Sequence, residues 1–300
     1  MRSLLFVPAD SRRKFEKASM SKADALILDL EDSVAPAMKA EARELLGSLL
    51  AAPRRQKLFV RVNALETGLV PLDLAAVMPG RPDGIVLPKC SGPDAVRQLG
   101  HYLDVGEACE DASGAQVGST RILAIVTETA ESVRALAACS YANVSPRLWG
   151  MMWGGEDLTA SLGASPNNGG DSYREPIRLA RNLCLIAAAA AGVEAIDAVA
   201  PDIDNLHAIA VEAQEARRDG FSGKAVIHPT HVEPVHTAFT PAPEEVAWAL
   251  RVREAFARQP DAGVLRLDGK MVDKPHLGAA ERILGRTNWP ASAGTRSTLP

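Results

Sequence analysis

The feature that most constrains the fold is a repeated alternation of short apolar runs and amphipathic stretches along the chain. Each run ends in a polar residue, and the stretch that follows carries apolar residues at helical spacing. Strands that alternate with helices imply parallel strands joined by right-handed crossovers. The eight strand-like runs are Ser3–Ala9, Ala25–Glu31, Lys57–Asn63, Gly84–Lys89, Arg121–Glu128, Arg147–Gly154, Glu194–Pro201 and Gly223–Pro229. Eight such units within about 240 residues predict an α/β fold, a (β/α)8 TIM barrel.

The alternation of strand-like runs and helical stretches ends after the eighth unit. A helix, an extended segment with a turn at Asp268-Gly269 and a second helix are predicted for Pro243–Gln259, Val264–Asp273 and Pro275–Gly285. These elements are not needed to close a barrel, so they predict a C-terminal helical extension that packs on a neighbouring subunit. The predicted divisions are a catalytic barrel over 1–240, the extension over 241–290 and a tail over 291–300.

Composition excludes several classes of partner. The chain has 300 residues, of which 47% are hydrophobic, so it can bury a large core, and its net charge of −4 implies no basic face for nucleic acid or anionic lipid. No apolar stretch reaches the ~20 residues that a membrane helix needs. The four cysteines are widely spaced and form no CxxC pair, and the N-terminus lacks the pattern of a signal peptide. These features predict reduced thiols and a cytoplasmic location.

Charged residues collect where the predicted strands end, which is the active-site face of a barrel. The acids among them outnumber the bases Arg61 and Lys89, and they are Asp29, Glu31, Asp32, Glu128, Glu156 and Asp157. Strand alternation places Asp29 with Glu31 on one face, and Arg61 with Asn63 on one face. A surplus of carboxylates predicts a hard divalent cation, Mg²⁺ with Mn²⁺ as the alternative, because oxygen ligands with no nearby His or Cys suit these ions.

Each of these residues also has a structural interpretation. The acids after the second strand could cap a helix or pair with Arg61 and Lys89, and Lys89 itself could serve in a structural ion pair. Glu128 could be a first-turn acid of the helix that follows it, and Asp157 a loop acid. His228 fits a hydrogen-bonded packing role better than a chemical one.

The motifs, taken in order, resemble those of citrate lyase β-subunit-like proteins, in the wider HpcH/HpaI aldolase superfamily. The matching segments are Leu5-Phe6-Val7-Pro8, Leu28-Asp29-Leu30-Glu31-Asp32-Ser33-Val34, Val60-Arg61-Val62-Asn63, Leu87-Pro88-Lys89, Glu128-Thr129, Gly155-Glu156-Asp157-Leu158 and Gly223-Lys224-Ala225-Val226-Ile227-His228-Pro229. Each motif alone is weak, but seven in register are specific, and the resemblance runs from about residue 2 to about residue 285.

The resemblance implies a Mg²⁺-dependent barrel, often a homotrimer, that cleaves or forms citryl, malyl or citramalyl thioesters of CoA or of an acyl carrier. It implies that Glu128 and Asp157 hold the metal, that Arg61 and Glu128 contact substrate, and that Asp273 enters a neighbouring subunit's site as an acid or base. The remaining charged residues would orient metal-bound water and Arg61, and they are Asp29, Glu31, Asp32, Lys89 and Glu156.

Some positions depart from the family pattern. Ala9 stands where a glycine is usual in the first loop, and Gly155 stands where the family has alanine before Glu-Asp. The loop Ser165–Arg174 is distinctive and is expected to read the side groups of the substrate. The basic run after the first strand, Arg12 to Lys14, either meets CoA phosphates or forms a solvated helix start. These departures bear on substrate identity more than on metal binding.

The expected reaction is a retro-Claisen cleavage of a 3-hydroxyacyl thioester into an acetyl-type thioester and an α-keto acid. A planar guanidinium at Arg61 suits the keto-acid carboxylate, and Asp273 is the candidate for moving the other proton. Three alternatives stay open at this point: a β subunit that acts on an acyl-carrier thioester, a non-catalytic thioester-binding paralogue, and a pyruvate aldolase that needs no CoA.

Overall fold

A computed structural model describes residues 1–52, 55–110, 117–165 and 173–287. The predicted tail over 291–300 and residues 166–172 of the distinctive loop lie outside the described residues. The chain divides into two compact units, Met1–Val235 and His236–Pro300. The predicted division at residue 240, and the packing of the extension on another subunit, stay predictions.

The first unit contains a closed barrel of eight parallel strands in sequential order, as the alternation predicted. The strands are β1 (Ser3–Pro8), β2 (Ala25–Asp29), β3 (Lys57–Arg61), β4 (Gly84–Leu87), β5 (Arg121–Ile125), β6 (Leu148–Met152), β7 (Glu194–Asp197) and β8 (Gly223–Val226). Closure is made between β1 and β8, where Leu5 is in register with Val226.

Helices cover the connections between the strands and continue beyond the barrel. They are α1 (Arg12–Ser19), α2 (Lys39–Leu50), α3 (Val70–Val77), α4 (Pro93–Cys109), α5 (Ala130–Ala138), α6 (Glu156–Ser161), α7 (Glu175–Ala191), α8 (Leu206–Asp219), α9 (Val232–Phe239), α10 (Pro243–Arg258) and α11 (Lys274–Thr287). Several begin at a side-chain cap: Thr129 accepts from Ser132 N at 3.1 Å, and Asn205 accepts from Ala208 N at 3.1 Å.

Apolar side chains from all eight strands meet in the interior of the barrel. They are Leu4, Ala25, Ile27, Phe59, Val86, Leu123, Ile125, Met152, Ile196 and Ala225. Because side chains alternate along a strand, the inward series Ala25 and Ile27 continues to Asp29, and the inward Phe59 continues to Arg61. The apolar core therefore ends, on β2 and β3, in an acid and a base.

The predicted runs extend past the observed strands at their carboxyl ends. Glu31, Asn63, Lys89 and Glu128 all lie beyond the last ladder residue of their strands. Backbone bonds between neighbouring strands continue one residue past the strand ends, from Leu30 N to Arg61 O at 2.9 Å and from Val62 N to Val86 O at 3.3 Å, before the chain enters the loops. Glu31 still contacts Arg61, as alternation predicts, whereas the side chain of Asn63 has a different partner. Asn63 instead donates its side-chain amide to Asp73 Oδ2 at 2.7 Å.

The second unit consists of helices and a hairpin around its own small core. Two antiparallel strands, β9 (Val264–Leu267) and β10 (Lys270–Asp273), are joined by Asp268 and Gly269, whose φ angles are 51° and 80°. Positive φ at both central residues is the geometry that Asp-Gly favours in a tight hairpin. The core side chains are Ala249, Val252, Phe256, Val272 and Ala280. The predicted elements of the extension are confirmed.

Cys90 and Cys184 are buried, Cys109 and Cys139 are exposed, and all four are free thiols. Within the ranges that the structure describes, no helix is both long enough and apolar enough to cross a bilayer.

Candidate active site

Arg61 and Asp29 form a two-pronged ion pair at the mouth of the barrel. They are register partners on neighbouring strands, and Arg61 donates from Nε to Oδ1 at 2.7 Å and from Nη2 to Oδ2 at 2.8 Å. Burial alone would raise the pKa of Asp29, but the hydrogen bond and the charge of Arg61 lower it. The Phe6 ring lies 5.0 Å from the guanidinium carbon. Asp29 and Phe6 thus hold Arg61 in one orientation.

Glu31 lies between the two bases. Its Oε2 is 3.0 Å from Arg61 Nη1, and its Oε1 accepts from Lys89 Nζ, which also lies 3.2 Å from Asp32 Oδ2. Despite the short ion-pair distance, Oε2 is buried and has no aligned hydrogen-bond donor among the described residues. Burial raises the pKa of Glu31, and Arg61 and Lys89 offset part of that rise. The site therefore retains an acceptor atom that the protein does not fully satisfy.

Glu128 is the most perturbed acid of the mouth. It is 3% exposed, and the hydrogen bond that the structure describes for it comes from the backbone N–H of Lys89, at 2.5 Å to Oε2. Burial, with repulsion from Glu31 and Asp157, raises the pKa of Glu128 to about 8 against the lowering effects of that hydrogen bond and of Arg61. Lys89 has a φ of 48°, a left-handed conformation that is uncommon for lysine. This backbone conformation presents the Lys89 N–H to the carboxylate.

Gly154 allows the ends of β5 and β6 to lie close together. A Cβ atom at this position would lie 2.9 Å from the Cγ of Glu128, closer than packed carbon atoms tolerate. Thr127 Oγ1 accepts from Gly154 N at 2.8 Å and donates to Gly154 O at 3.1 Å. The pair of hydrogen bonds fixes the backbone beside Glu128. The close approach of the Glu128 side chain, which follows the end of β5, favours glycine at position 154.

Asp157 and Glu156 lie in the first turn of α6, across the mouth from Lys89. The side chain of Asp157 is 38% exposed, and its Oδ1 is 4.0 Å from Lys89 Nζ. Both acids line a cavity of about 870 Å³ that also reaches Arg61 and Glu128. The cavity is large enough for a small acid with part of a longer chain attached.

The donor set fits a hard cation. The charged groups that influence Glu128 are the acids Glu31 and Asp157 and the base Arg61, and a buried carboxylate with a raised pKa indicates a place where positive charge is deficient. Within the described residues, no three His, Cys, Asp or Glu side chains are arranged to hold a metal. Mg²⁺ is commonly held by one or two carboxylates, with water and substrate completing an octahedron. The two-carboxylate arrangement suits that mode.

Sequence reasoning missed residues that support the site from behind. Lys39, at the start of α2, donates from Nζ to Leu30 O at 2.6 Å and to Glu31 O at 2.7 Å. These bonds hold the loop that carries Glu31. Asp73 is fully buried, and it accepts from Arg43 as well as Asn63. Neither Lys39 nor Asp73 lies at a strand end, so no positional signal in the sequence pointed to them.

Trp153 explains one departure from the family pattern. Its indole N–H donates to Asp197 Oδ1 at 2.7 Å, and its ring packs edge-to-face on Tyr173 with centroids 5.1 Å apart. A Cβ at Gly155 would lie 3.0 Å from the Trp153 ring, tighter than ordinary contact. The alanine expected at position 155 is therefore disfavoured by the bulky neighbour two residues earlier.

Other predicted positions have contacts of their own. Arg12 donates to Ser48 at 2.8 Å, which is consistent with the solvated helix start. His228 caps a short helical turn by accepting from Thr230 N at 3.4 Å, a structural role. Asp273 ends β10 in the second unit, where its carboxylate contacts His276.

The sequence is similar to several known proteins. A citrate lyase subunit beta-like protein of Mycobacterium tuberculosis is 36% identical over 283 residues, covering 94% of each chain. The citrate lyase subunit beta of Escherichia coli is 35% identical over 95% of this chain and 92% of its own. The mitochondrial citramalyl-CoA lyase of Mus musculus is 31% identical over 94% of this chain and 85% of its own.

The fold has a matching experimental structure and a matching family. CitE of Mycobacterium tuberculosis, in complex with magnesium, acetoacetate and coenzyme A, superposes with a TM-score of 0.74. It is 35% identical, and the match covers 95% of this chain and 97% of that one. Residues 2–229 match the family described as HpcH/HpaI aldolase/citrate lyase. The chain belongs to the HpcH/HpaI aldolase/citrate lyase family.

Proposed function

We propose that this protein is a Mg²⁺-dependent carbon–carbon lyase that acts on a 3-hydroxyacyl-CoA of the citryl, malyl or citramalyl type. The products are an acetyl-type thioester and an α-keto acid. The observation that carries the proposal is the pairing of a rigidly held Arg61 with the buried, under-neutralised Glu128 in one cavity. The relatives named as citrate lyase subunits and as a citramalyl-CoA lyase support this class of substrate.

Glu128 and Asp157 are the proposed metal ligands. When bound, Mg²⁺ supplies Lewis-acid polarisation of the keto-acid oxygens. The bound ion would offset the repulsion that raises the pKa of Glu128. Glu128 is also proposed to contact the substrate, since it lines the cavity.

Arg61 is the proposed binding group for the keto-acid carboxylate. Asp29 takes the donors on Nε and Nη2, which leaves the Nη1 side near Glu31 and the cavity. A guanidinium held in this way presents its remaining N–H groups without first losing side-chain freedom. It stabilises negative charge that develops on the substrate oxygens.

The other charged residues position these groups. Lys89 links Glu31 to Asp32 through its ammonium and holds Glu128 through its backbone N–H. Glu156 is proposed to orient water near Asp157.

We also propose that Asp273 serves as the acid or base in a neighbouring subunit's site, within a homo-oligomer that we expect to be a trimer. Asp273 is only partly covered, with 31% of its side chain exposed, and is therefore accessible to another chain. Free cysteines support a reducing, cytoplasmic location.

A panel of citryl-, malyl- and citramalyl-CoA, each with and without Mg²⁺, tests the reaction class. Release of an α-keto acid supports the lyase, whereas free thiol without keto acid would indicate hydrolysis.

Glu128→Ala with Asp157→Ala should abolish Mg²⁺ binding and turnover while the fold is retained. The matched control removes two exposed carboxylates, Glu16 and Glu44, and should leave both unchanged. Retained turnover in the first double variant would overturn the metal assignment.

A mixing experiment tests the role of Asp273 in trans. Asp273→Asn should lose turnover but keep Mg²⁺ binding, and Arg61→Ala should lose turnover for a different reason. Mixed oligomers of the two contain sites with both residues intact and should recover part of the activity. Absence of recovery, with subunit exchange shown by differently labelled chains, would contradict the trans assignment.

The runner-up function is that of a β subunit that acts on an acyl-carrier thioester, which the Escherichia coli relative favours. In that case free CoA esters would react poorly, and the chain would copurify with a carrier subunit.

A further inference from the structure

A histidine contacts the proposed acid or base. Asp273 is the last residue of β10 and directly precedes α11, and His276 lies in the first turn of that helix. The His276 Nδ1 atom is 2.5 Å from Asp273 Oδ1. The two side chains are 43% and 31% exposed, so the pair lies at the surface of its unit, with access to an incoming molecule.

Helix capping alone does not account for this contact. Asp273 Oδ1 accepts the backbone N–H of His276 at 3.4 Å, and the backbone N–H of Asp273 lies 3.3 Å from His276 Nδ1, which is the reciprocal pattern of a capping box. The direct contact between the carboxylate and the imidazole is much shorter than either of these and is not part of that pattern. The third helical position of a capping box usually carries Glu or Gln, and histidine is a weaker helix former. A serine at position 273 would cap the helix equally well. The carboxylate and imidazole together therefore exceed what the start of α11 requires.

The contact also affects the pKa of the Asp273 carboxylate. The hydrogen bond from His276 is the largest influence on Asp273, and together with the charge of His276 it lowers the pKa of Asp273. With Nδ1–H donated to Oδ1, the other carboxylate oxygen stays open, and the imidazole restricts rotation of the side chain. An acid or base that must reach a substrate carbon depends on this kind of restriction.

We propose that His276 is a positioning residue for Asp273, in a carboxylate–imidazole pair that this chain delivers to a thioester site. The proposal rests on the proposed function, in which Asp273 moves a proton. In the condensation direction the open Asp273 oxygen takes a proton from the carbon beside the thioester carbonyl, so one C–H bond breaks and one O–H bond forms. In cleavage the same proton returns to that carbon. His276 keeps its own proton and holds the carboxylate in line throughout.

Three substitutions of His276 test this in the full-length oligomer. His276→Ala and His276→Gln should lower kcat about ten- to a hundredfold, with KM within about twofold. The pKa of Asp273 should rise when its partner is lost, so the acidic limb of the condensation pH profile should move to higher pH. His276→Asn, whose amide nitrogen can replace Nδ1 as a donor to Oδ1, should recover part of kcat. His101→Ala, at an exposed histidine on α4, is the matched control and should change neither measurement.

The outcomes separate this inference from the proposed function. Full turnover in Asp273→Asn would overturn the role of Asp273 itself. Loss of turnover in Asp273→Asn, with unchanged kcat and pH profile in His276→Ala, would overturn the positioning role alone. Asp273→Ser keeps the helix cap, so its melting temperature shows how much α11 needs capping. If His276→Ala lowers only the melting temperature, and His276→Asn restores nothing, His276 is structural and the proposal is wrong.

Discussion

Two glutamates at opposite ends of the barrel are equally buried, but the pKa of one is lowered and the pKa of the other is raised. Glu107 and Glu128 are each 3% exposed. Glu107 accepts from Arg147 Nη2 at 2.7 Å and from the turn at residues 118–120, including Thr120 N at 2.7 Å. Burial would raise the pKa of Glu107, yet these bonds lower it to about 2. The pKa of Glu128 is raised to about 8, because burial and neighbouring acids outweigh its bond from Lys89.

The difference follows the polarity of the fold. Glu107 and Arg147 lie where β5 and β6 begin, and Glu128 lies where β5 ends. The amino-terminal side of a barrel serves stability, and the carboxyl-terminal side carries the chemistry. A buried acid that is fully bonded locks loops together. A buried acid left short of positive charge is ready to accept a cation or a proton.

Glu128→Gln should have the largest effect on activity. Replacement of one carboxylate oxygen by an amide removes a charged ligand without changing the size of the side chain, and kcat should fall about a thousandfold, roughly 4 kcal/mol of barrier. Steady-state rates at saturating Mg²⁺ measure it. Turnover within tenfold of the parent would show that Glu128 has no essential role in catalysis. Glu128 would then not differ from Glu107 in function.

Glu107→Gln should have the largest effect on stability. It leaves the buried Arg147 without its fully buried partner, although Asp104 still lies 2.6 Å from Nη2, so the free energy of unfolding should fall by about 3 kcal/mol. Urea unfolding measures the loss. The kcat of the folded fraction should equal that of the parent, and a marked fall in kcat would show that the amino-terminal side also takes part in catalysis.

The free energy of unfolding should depend on pH in opposite ways through Glu107 and Glu128. Because the folded-state pKa of Glu107 is depressed, its contribution is present above about 4.5 and is lost as pH falls towards about 2. Because the folded-state pKa of Glu128 is raised, the folded state binds the extra proton, and stability falls as pH rises from about 4.5 through about 8.

Comparison of the parent protein with Glu128→Gln isolates the contribution of Glu128 to the pH dependence of stability. In the presence of a chelator, this variant should have a clearly higher unfolding free energy than the parent at pH 9 and nearly the same unfolding free energy at pH 5. Unfolding curves at several pH values measure the difference. If the difference in unfolding free energy between variant and parent is the same at all pH values, the pKa of Glu128 is not raised in the folded state.

Much of the site was predictable because it depends on position along a strand. The polar residues that end the strand-like runs do lie at one mouth, and Asp29 and Arg61 pair as inward neighbours in register. The prediction that Glu31 faces the same way is confirmed by its contact with Arg61. The side chain of Asn63, past the end of β3, bonds to Asp73 instead. Which acids hold the metal came from the resemblance to the family and stays a prediction.

By itself, the sequence determined the barrel, the hairpin at Asp268-Gly269 and the charge surplus at the mouth, because periodicity, turn chemistry and strand-end position are local properties. Tertiary structure alone decided that Glu107 is satisfied and Glu128 is not, since both are single glutamates in ordinary local contexts. It also decided that Lys39 supports the loop of Glu31. The physical reason is that a pKa and a hydrogen bond depend on which groups meet in space, and the groups around Glu107 and Glu128 come from segments that lie far apart in the chain.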